Sequence, residues 1–92
     1  MSLEPSQTIV RTSETLATEI DGEIVLISIK DGRYFGLDSV GSEIWRRLAN
    51  PKQVDALCGE LKDHFDGDPA TIEQEARAFI DMLSDNDLVV AA

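Results

Sequence analysis

The segment DGRYFGLDSVGSEIW, residues 31–45, contains a change from sheet-like to helix-like sequence. Its part 33–37 is rich in aromatic and aliphatic residues, which favours a short β-strand. After that strand the apolar residues recur at helical spacing, and Asp38 or Ser39 can cap a helix over about residues 40–49. The segment therefore predicts a strand that leads directly into a helix.

Two further strands are predicted upstream of this segment. Residues 16–20 and 23–29 favour β-structure, and Asp21-Gly22 between them suits a two-residue type I′ turn, which needs positive φ. Residues 23–29 are apolar on both faces, as in a central strand. A turn at residues 30–32 would then place the strand 33–37 at the edge of a three-stranded meander.

Two further helices are predicted downstream. Apolar spacing predicts a second helix that begins at about Pro51, and a third that is capped by Asp68 or Thr71. Residues 85–87 end the third helix, and residues 88–90 form a short extended end. Because three strands cannot bury themselves, the helices must cover one face of the sheet. The expected class is α+β, winged-helix-like, with a three-stranded antiparallel sheet followed by three helices.

The chain length of 92 residues supports one domain. We place that domain at residues 15–90. Residues 1–14 are polar and mixed, and we expect them to be a flexible N-terminal arm, although Ile9 and Val10 could dock on the domain.

The formal net charge of −10 argues against several classes of partner. Residues 51–92 carry −7 of it, and Arg46-Arg47 is the only basic pair in the sequence. Phosphate binding requires clustered Lys and Arg, so we expect neither nucleic acid nor an anionic membrane as a partner. No signal peptide and no apolar run of about 18 residues is visible, so we expect a cytoplasmic location.

The residue types that carry catalysis are sparse. Cys58 is predicted to be a buried helix residue and His64 a surface residue at a helix end, so no metal site or catalytic triad is expected. The glycines form no phosphate-binding pattern, and no cofactor is expected. A small thiol-dependent enzyme remains a minor alternative.

The predicted edge strand is the feature that most favours a function. Edge strands are usually blocked by Lys, Pro or a bulge, whereas residues 33–37 contain one charge, Arg33. An open aromatic edge beside a groove is suited to binding a peptide by strand addition. The alternative is that residues 88–90 cover this edge, and the pattern alone leaves the two open.

Residues 31–45 also resemble the central signature of PqqD-like proteins, the small peptide-recognition domains of ribosomal peptide pathways. Their pattern is a Tyr-Phe strand, then Leu-Asn, a glycine, and Ile-Trp in the first helix. The matching residues here are Tyr34-Phe35, Leu37-Asp38, Gly41 and Ile44-Trp45. The resemblance covers about residues 15–90. It departs at Asp38, where the family has Asn, and at Asp87, where it has Gly.

The resemblance implies a domain without catalysis that binds the leader of a precursor peptide. In the family, the leader adds as a strand to the third strand and lies in a cleft against the third helix. Carried over by position, the peptide-binding residues are Arg33, Tyr34, Phe35, Gly36, Leu37, Glu75, Ala76, Phe79, Met82 and Leu83. Helix phase decides which of the last five line the cleft and which fill the core.

The implied partners are that leader segment and a separate processing protease or modifying enzyme. The strand 33–37 favours a lasso-peptide pathway over the quinone-cofactor pathway. Because the acidic half of the chain contains the third helix, we expect basic residues in the leader. The oligomeric state is expected to be a monomer or a weak edge-strand dimer. The alternative function is a winged-helix DNA-binding or regulatory protein.

Overall fold

The computed structural model describes residues 3–92 of the chain. In chain order, the elements of this part are β1 (Thr8–Arg11), β2 (Thr15–Ile20), β3 (Glu23–Ser28), β4 (Arg33–Gly36), α1 (Ser39–Arg47), β5 (Lys52–Gln53), α2 (Val54–His64), α3 (Pro69–Asp85) and β6 (Val89–Ala91). This is an α+β architecture with antiparallel sheets and three helices, as the sequence predicted.

The strands β2, β3 and β4 form the predicted antiparallel meander, with β3 in the centre. Asp21 and Gly22 join β2 to β3 with φ values of 52° and 85°. Both φ values are positive, as a type I′ turn requires, so the prediction of this turn is confirmed. The predicted run 33–37 is one residue longer than β4, but the amide of Leu37 still bonds to β3.

A second sheet, in the order β5-β1-β6, was not predicted. Its central strand, β1, lies within residues 1–14, which we expected to be a flexible arm. Ile9 of β1 is fully buried in the core, and the guanidinium carbon of Arg11 lies 4.4 Å from the centre of the Trp45 ring. Expecting a loose arm was therefore wrong for residues 8–11, because four residues with one buried side chain gave too short a pattern to indicate a strand. Residues 1 and 2 lie outside the described part.

The second helix begins three residues later than predicted. Proline suits a first helical turn, but Lys52 and Gln53 instead form β5 and pair with β1. The amide of Val54 donates to the carbonyl of Gln7 at 3.0 Å, and the amide of Asp55 donates to the carbonyl of Pro5 at 2.9 Å. Pairing with the N-terminal segment thus takes the place of the predicted helical turn.

The predicted caps position the other two helices. The Asp38 side chain accepts a 2.8 Å hydrogen bond from the amide of Gly41 at the start of α1. The Asp68 side chain accepts one from the amide of Thr71 in α3, with Pro69 in the first turn. These bonds satisfy amides that lack a partner within the helix, and each such cap contributes about 1 kcal/mol.

The core lies between the helices and one face of β3. Fully buried side chains come from every layer, and burying each one stabilises the fold by roughly 1.5–3 kcal/mol. The largest include Ile9, Leu26, Ile44, Leu57, Ile80 and Leu83. Cys58 is also buried, as predicted.

Candidate functional site

The edge of β4 is open. This strand pairs with β3 and, within residues 3–92, with no other strand. The C-terminal strand β6, which could have covered it, pairs with β1 in the other sheet. Of the two arrangements that the sequence allowed, the structure therefore contains the one with a free edge.

The hydrogen-bond register determines which backbone groups of β4 face outward. The amide of Leu37 donates a 2.9 Å bond to the carbonyl of Ile24. Bonded and non-bonded pairs alternate along an antiparallel ladder, so Phe35 also bonds inward to β3. Tyr34 and Gly36 consequently direct their N–H and C=O groups away from the sheet. Two amides and two carbonyls are available for a further strand.

The side chains of this edge alternate between two faces. Phe35 is half-buried against the core and Leu37 is buried, whereas Tyr34 lies on the opposite face and is 73% exposed. A Cβ at Gly36 would meet no atom within 4 Å. The edge is therefore sterically open beside Gly36, and its core-facing side carries an aromatic ring.

Helix α3 contains the other half of the predicted set. Phe79 and Met82 are partly buried and pack against the edge of the core, while Glu75 is exposed. Ala76 and Leu83 are 0% exposed. The helix phase therefore places Ala76 and Leu83 in the core, where a peptide has no access to their side chains. The accessible residues of α3 from the predicted set are Glu75, Phe79 and Met82.

Two contacts relate α3 to its neighbours β4 and α1, and the region between them is where the resemblance places the peptide-binding cleft. In the first, the Arg33 guanidinium donates to the side-chain oxygen of Asn86, and it lies 5.2 Å from the centre of the Phe35 ring. In the second, α1 meets α3 beside a cavity of about 260 Å³. The residues that line this cavity are Asp38, Val40, Gly41, Glu75, Ala78 and Phe79.

Five residues at these two contacts were missing from the predicted set: Asp38, Val40, Gly41, Ala78 and Asn86. Val40 and Gly41 come from the first turn of α1, and Asn86 caps α3. The sequence contained a signal for Gly41, since a glycine in an otherwise regular helix often marks a close approach of another element. Nothing in the sequence indicated the bond between Arg33 and Asn86, because it depends on the angle between β4 and α3.

The charges of the molecule do not form a basic surface. Five of its cations are paired with glutamates, which leaves few free to contact phosphates. These pairs join Arg46 to Glu19, Arg47 to Glu43 and Glu60, Lys52 to Glu60, and Lys62 and Arg77 to Glu73. Recognition of duplex DNA, the alternative function, is not favoured by this arrangement.

Cys58 and His64 both lie on α2, not on β4 or α3. Burial raises the pKa of the Cys58 thiol, which keeps it protonated and a poor nucleophile. His64 is exposed at the end of α2. Within residues 3–92, no three His, Cys, Asp or Glu side chains are grouped so as to hold a metal ion. None of the described helices is long and apolar enough to cross a membrane.

Comparison with known proteins gives two solved structures with this fold. "TbiB1 in Complex with the TbiA(beta) Leader Peptide" has 31% sequence identity and a TM-score of 0.76, covering 87% of this chain and 93% of that one. "Lasso peptide synthetase B1 complexed with the leader peptide" has 18% identity and a TM-score of 0.74, covering 89% of this chain and 96% of that one. At its lower identity, the second shows similarity of fold alone. No curated protein matches the sequence.

A family model also matches the sequence directly. Residues 23–89 match the model described as "Coenzyme PQQ synthesis protein D (PqqD)". The match spans β3 to the first residue of β6 and therefore contains both β4 and α3. This chain belongs to the PqqD family.

Proposed function

We propose that this chain binds the leader of a ribosomally synthesised precursor peptide as an added strand on β4. The peptide lies in the cleft against α3 and is delivered to a separate processing enzyme. The chain itself takes no chemical part in the processing. The observation that carries this proposal is the unpaired edge of β4.

The backbone groups of Tyr34 and Gly36 supply the affinity that is independent of peptide sequence. An extended peptide satisfies their outward N–H and C=O groups with up to four hydrogen bonds, each worth about 1 kcal/mol net. Alternate peptide side chains then point into the cleft. There they meet Phe35, Phe79 and Met82, which select apolar side chains by burial.

The pathway is the finer part of the proposal. The relative with 31% identity is a complex with a leader peptide, and the other carries the description lasso peptide synthetase B1. The first similarity supports leader binding, and the strand 33–37 favours a lasso-peptide pathway, in which the partner enzyme is the peptidase that removes the leader. Binding raises the local concentration of substrate at that peptidase.

Titration of an isotope-labelled sample with a synthetic leader tests the proposal. We expect amide chemical shifts to change at residues 33–37 and on the exposed side of α3 around Phe79. The amides of β5, which belongs to the other sheet, and of the first turns of α2 act as an internal control. Shift changes confined to that control region, with none on β4, would contradict strand addition.

A further inference from the structure

The large hydrophobic side chains that are exposed lie almost entirely on one surface. Within residues 3–92, five of them are exposed: Leu16, Ile20, Ile29, Tyr34 and Val90. All except Val90 lie on the side of the β2-β3-β4 sheet that faces away from the helices. We call this side the outer face. Its exposed fractions run from 56% at Leu16 to 73% at Tyr34.

The strand register makes the outer face continuous. Leu16 of β2 pairs with Ile27 of β3, and Ile27 pairs with Tyr34 of β4, so one apolar row crosses the whole sheet. Ile29 lies on the same side of the sheet as Ile27, because the pairing of β2 with β3 extends to it: the amide of Ile29 donates to the carbonyl of Glu14 at 3.0 Å. Exposed apolar residues on a small monomeric protein are normally scattered singly. A contiguous patch of them instead marks an interaction surface.

Carboxylates surround the patch. Glu14, Asp21, Glu23 and Asp31 are exposed around the ends of the three strands, and none of them has an ion-pair partner among the described residues. A groove of about 460 Å³ opens between Asp21, Glu23, Val25 and Gly36. Its acidic rim and apolar base suit a Lys or Arg side chain, which has an aliphatic stem and a cationic head.

The same charges disfavour a second copy of this chain on the outer face. Each copy carries a net charge of −10, and the rims of two such faces would bring like charges together. A partner with basic residues around an apolar surface is complementary instead.

The outer face is continuous with the proposed peptide strand. A peptide on β4 would extend the β2-β3-β4 sheet by one strand, so that every second peptide side chain lies on the outer face beside Tyr34. A protein docked on this face therefore contacts the sheet and the peptide together.

We infer that the outer face docks the enzyme that processes the peptide bound on β4. That enzyme presents an apolar surface with basic residues around it, and one of its Lys or Arg side chains enters the groove beside Glu23. This inference rests on the proposed function, which supplies the peptide strand, and it adds a role for Leu16, Ile20 and Ile29, which lie outside the peptide-binding set.

The experiment uses the full chain, its leader peptide and the purified leader peptidase from the same gene cluster. Leu16→Glu places a charge in the patch on β2, the strand furthest from the peptide edge. Val90→Glu is the matched control, since it makes the same change at an exposed apolar residue of the other sheet. We expect Leu16→Glu to leave leader affinity unchanged, to weaken peptidase binding about tenfold or more, and to slow leader removal. Val90→Glu should match the unaltered chain in leader affinity, in peptidase binding and in the rate of leader removal.

A charge variant tests the complementarity separately. Glu23→Lys should weaken peptidase binding and should reduce its dependence on salt, because the variant loses one attractive contact and gains a repulsive one. Equal peptidase binding by Leu16→Glu and the unaltered chain would overturn the docking surface, even while leader binding persists. A dimer of the unaltered chain that Leu16→Glu converts to a monomer would also overturn it. Absence of leader binding by the unaltered chain would instead overturn the proposed function.

Discussion

Gly41 faces Phe79 so closely that a Cβ at residue 41 would lie 3.0 Å from Cε1 of the ring. This pair is the point where α1 and α3 meet at the end of the cleft. The missing side chain lets the ring lie against the helix backbone, and the position of the ring sets the shape of the cavity beside it. A side chain at residue 41 would therefore push the Phe79 ring out of its place.

Gly41→Ala should weaken leader binding by about threefold to tenfold, because the ring must shift by a few tenths of an ångström into the cleft. Stability should change by less than about 1 kcal/mol, since the better helix propensity of alanine offsets the tighter contact. Gly59→Ala is the control, because a Cβ there meets no atom within 4 Å. Calorimetric titration and thermal unfolding of both variants check this. Equal leader affinities of the two variants would show that the position of the Phe79 ring does not affect binding.

Gly36→Pro should reduce leader affinity at least about tenfold. Proline removes an N–H that faces outward, so the ladder between β3 and β4 keeps its own bonds while the peptide loses one. Gly36→Ala keeps the N–H and adds a methyl group to open space, and it should bind nearly normally. Fluorescence anisotropy with a labelled leader gives the affinities, and a circular dichroism spectrum confirms that each variant is folded. A folded proline variant with normal affinity would argue against a peptide strand at this residue.

Glu75→Lys should weaken leader binding and make it less sensitive to salt. Glu75 and Asp38 both line the cavity where α1 meets α3, and we expect them to attract a basic leader residue there. Asp63→Lys makes the same charge change at an exposed residue of α2 and should leave affinity nearly unaltered. Affinities measured at two salt concentrations test the difference. If the two variants lose affinity equally, the acidic residues act through the net charge of the whole molecule and not through a contact at the cleft.

Glu60→Gln should lower the free energy of unfolding at neutral pH by roughly 0.5–1 kcal/mol. Glu60 joins Lys52 of β5 to Arg47 of α1, and the hydrogen bond from Lys52 is the main reason that its pKa is lowered. A carboxylate with a lowered folded-state pKa stabilises the fold above its unfolded value, about 4.3, and loses that contribution as pH falls further. The difference between variant and unaltered chain should therefore shrink below about pH 4. Urea unfolding at several pH values measures it, and a constant difference would contradict the ion-pair explanation.

Cys58→Ser should destabilise the protein by about 1–3 kcal/mol without changing leader affinity. The side chain is 2% exposed, so the variant buries a hydroxyl group among apolar neighbours. Unfolding and binding measurements on the same preparation check both effects. Loss of leader processing with normal stability and binding would point to the thiol-dependent enzyme instead.

The local pattern predicted the elements whose signals are strong and continuous. The Asp21-Gly22 turn, the caps at Asp38 and Asp68 and the apolar stripe of α3 all lie in the structure where the sequence indicated them. Each depends on neighbours within a few residues, which a sequence pattern can represent.

The second sheet was missed because its signal is not local. Strand β5 has two residues and β6 has three, and both exist only by pairing with β1, about 40 and 80 residues away in the chain. The open edge of β4 follows from the same pairing, so pattern alone left it undecided. On α3, the helical spacing identified the apolar residues. Only the packing of α3 against α1 and α2 decides that Ala76 is fully buried whereas Phe79 remains partly accessible.

The pairing of β6 with β1 has a consequence for the thermodynamics of capture. Because no other strand within residues 3–92 pairs with the edge of β4, none of them has to be displaced when a peptide binds, and the loss of conformational entropy falls almost entirely on the peptide. Affinity should then be tuned by the stiffness of the leader as much as by its contacts. A leader that already favours an extended backbone in solution would bind more tightly through the same hydrogen bonds.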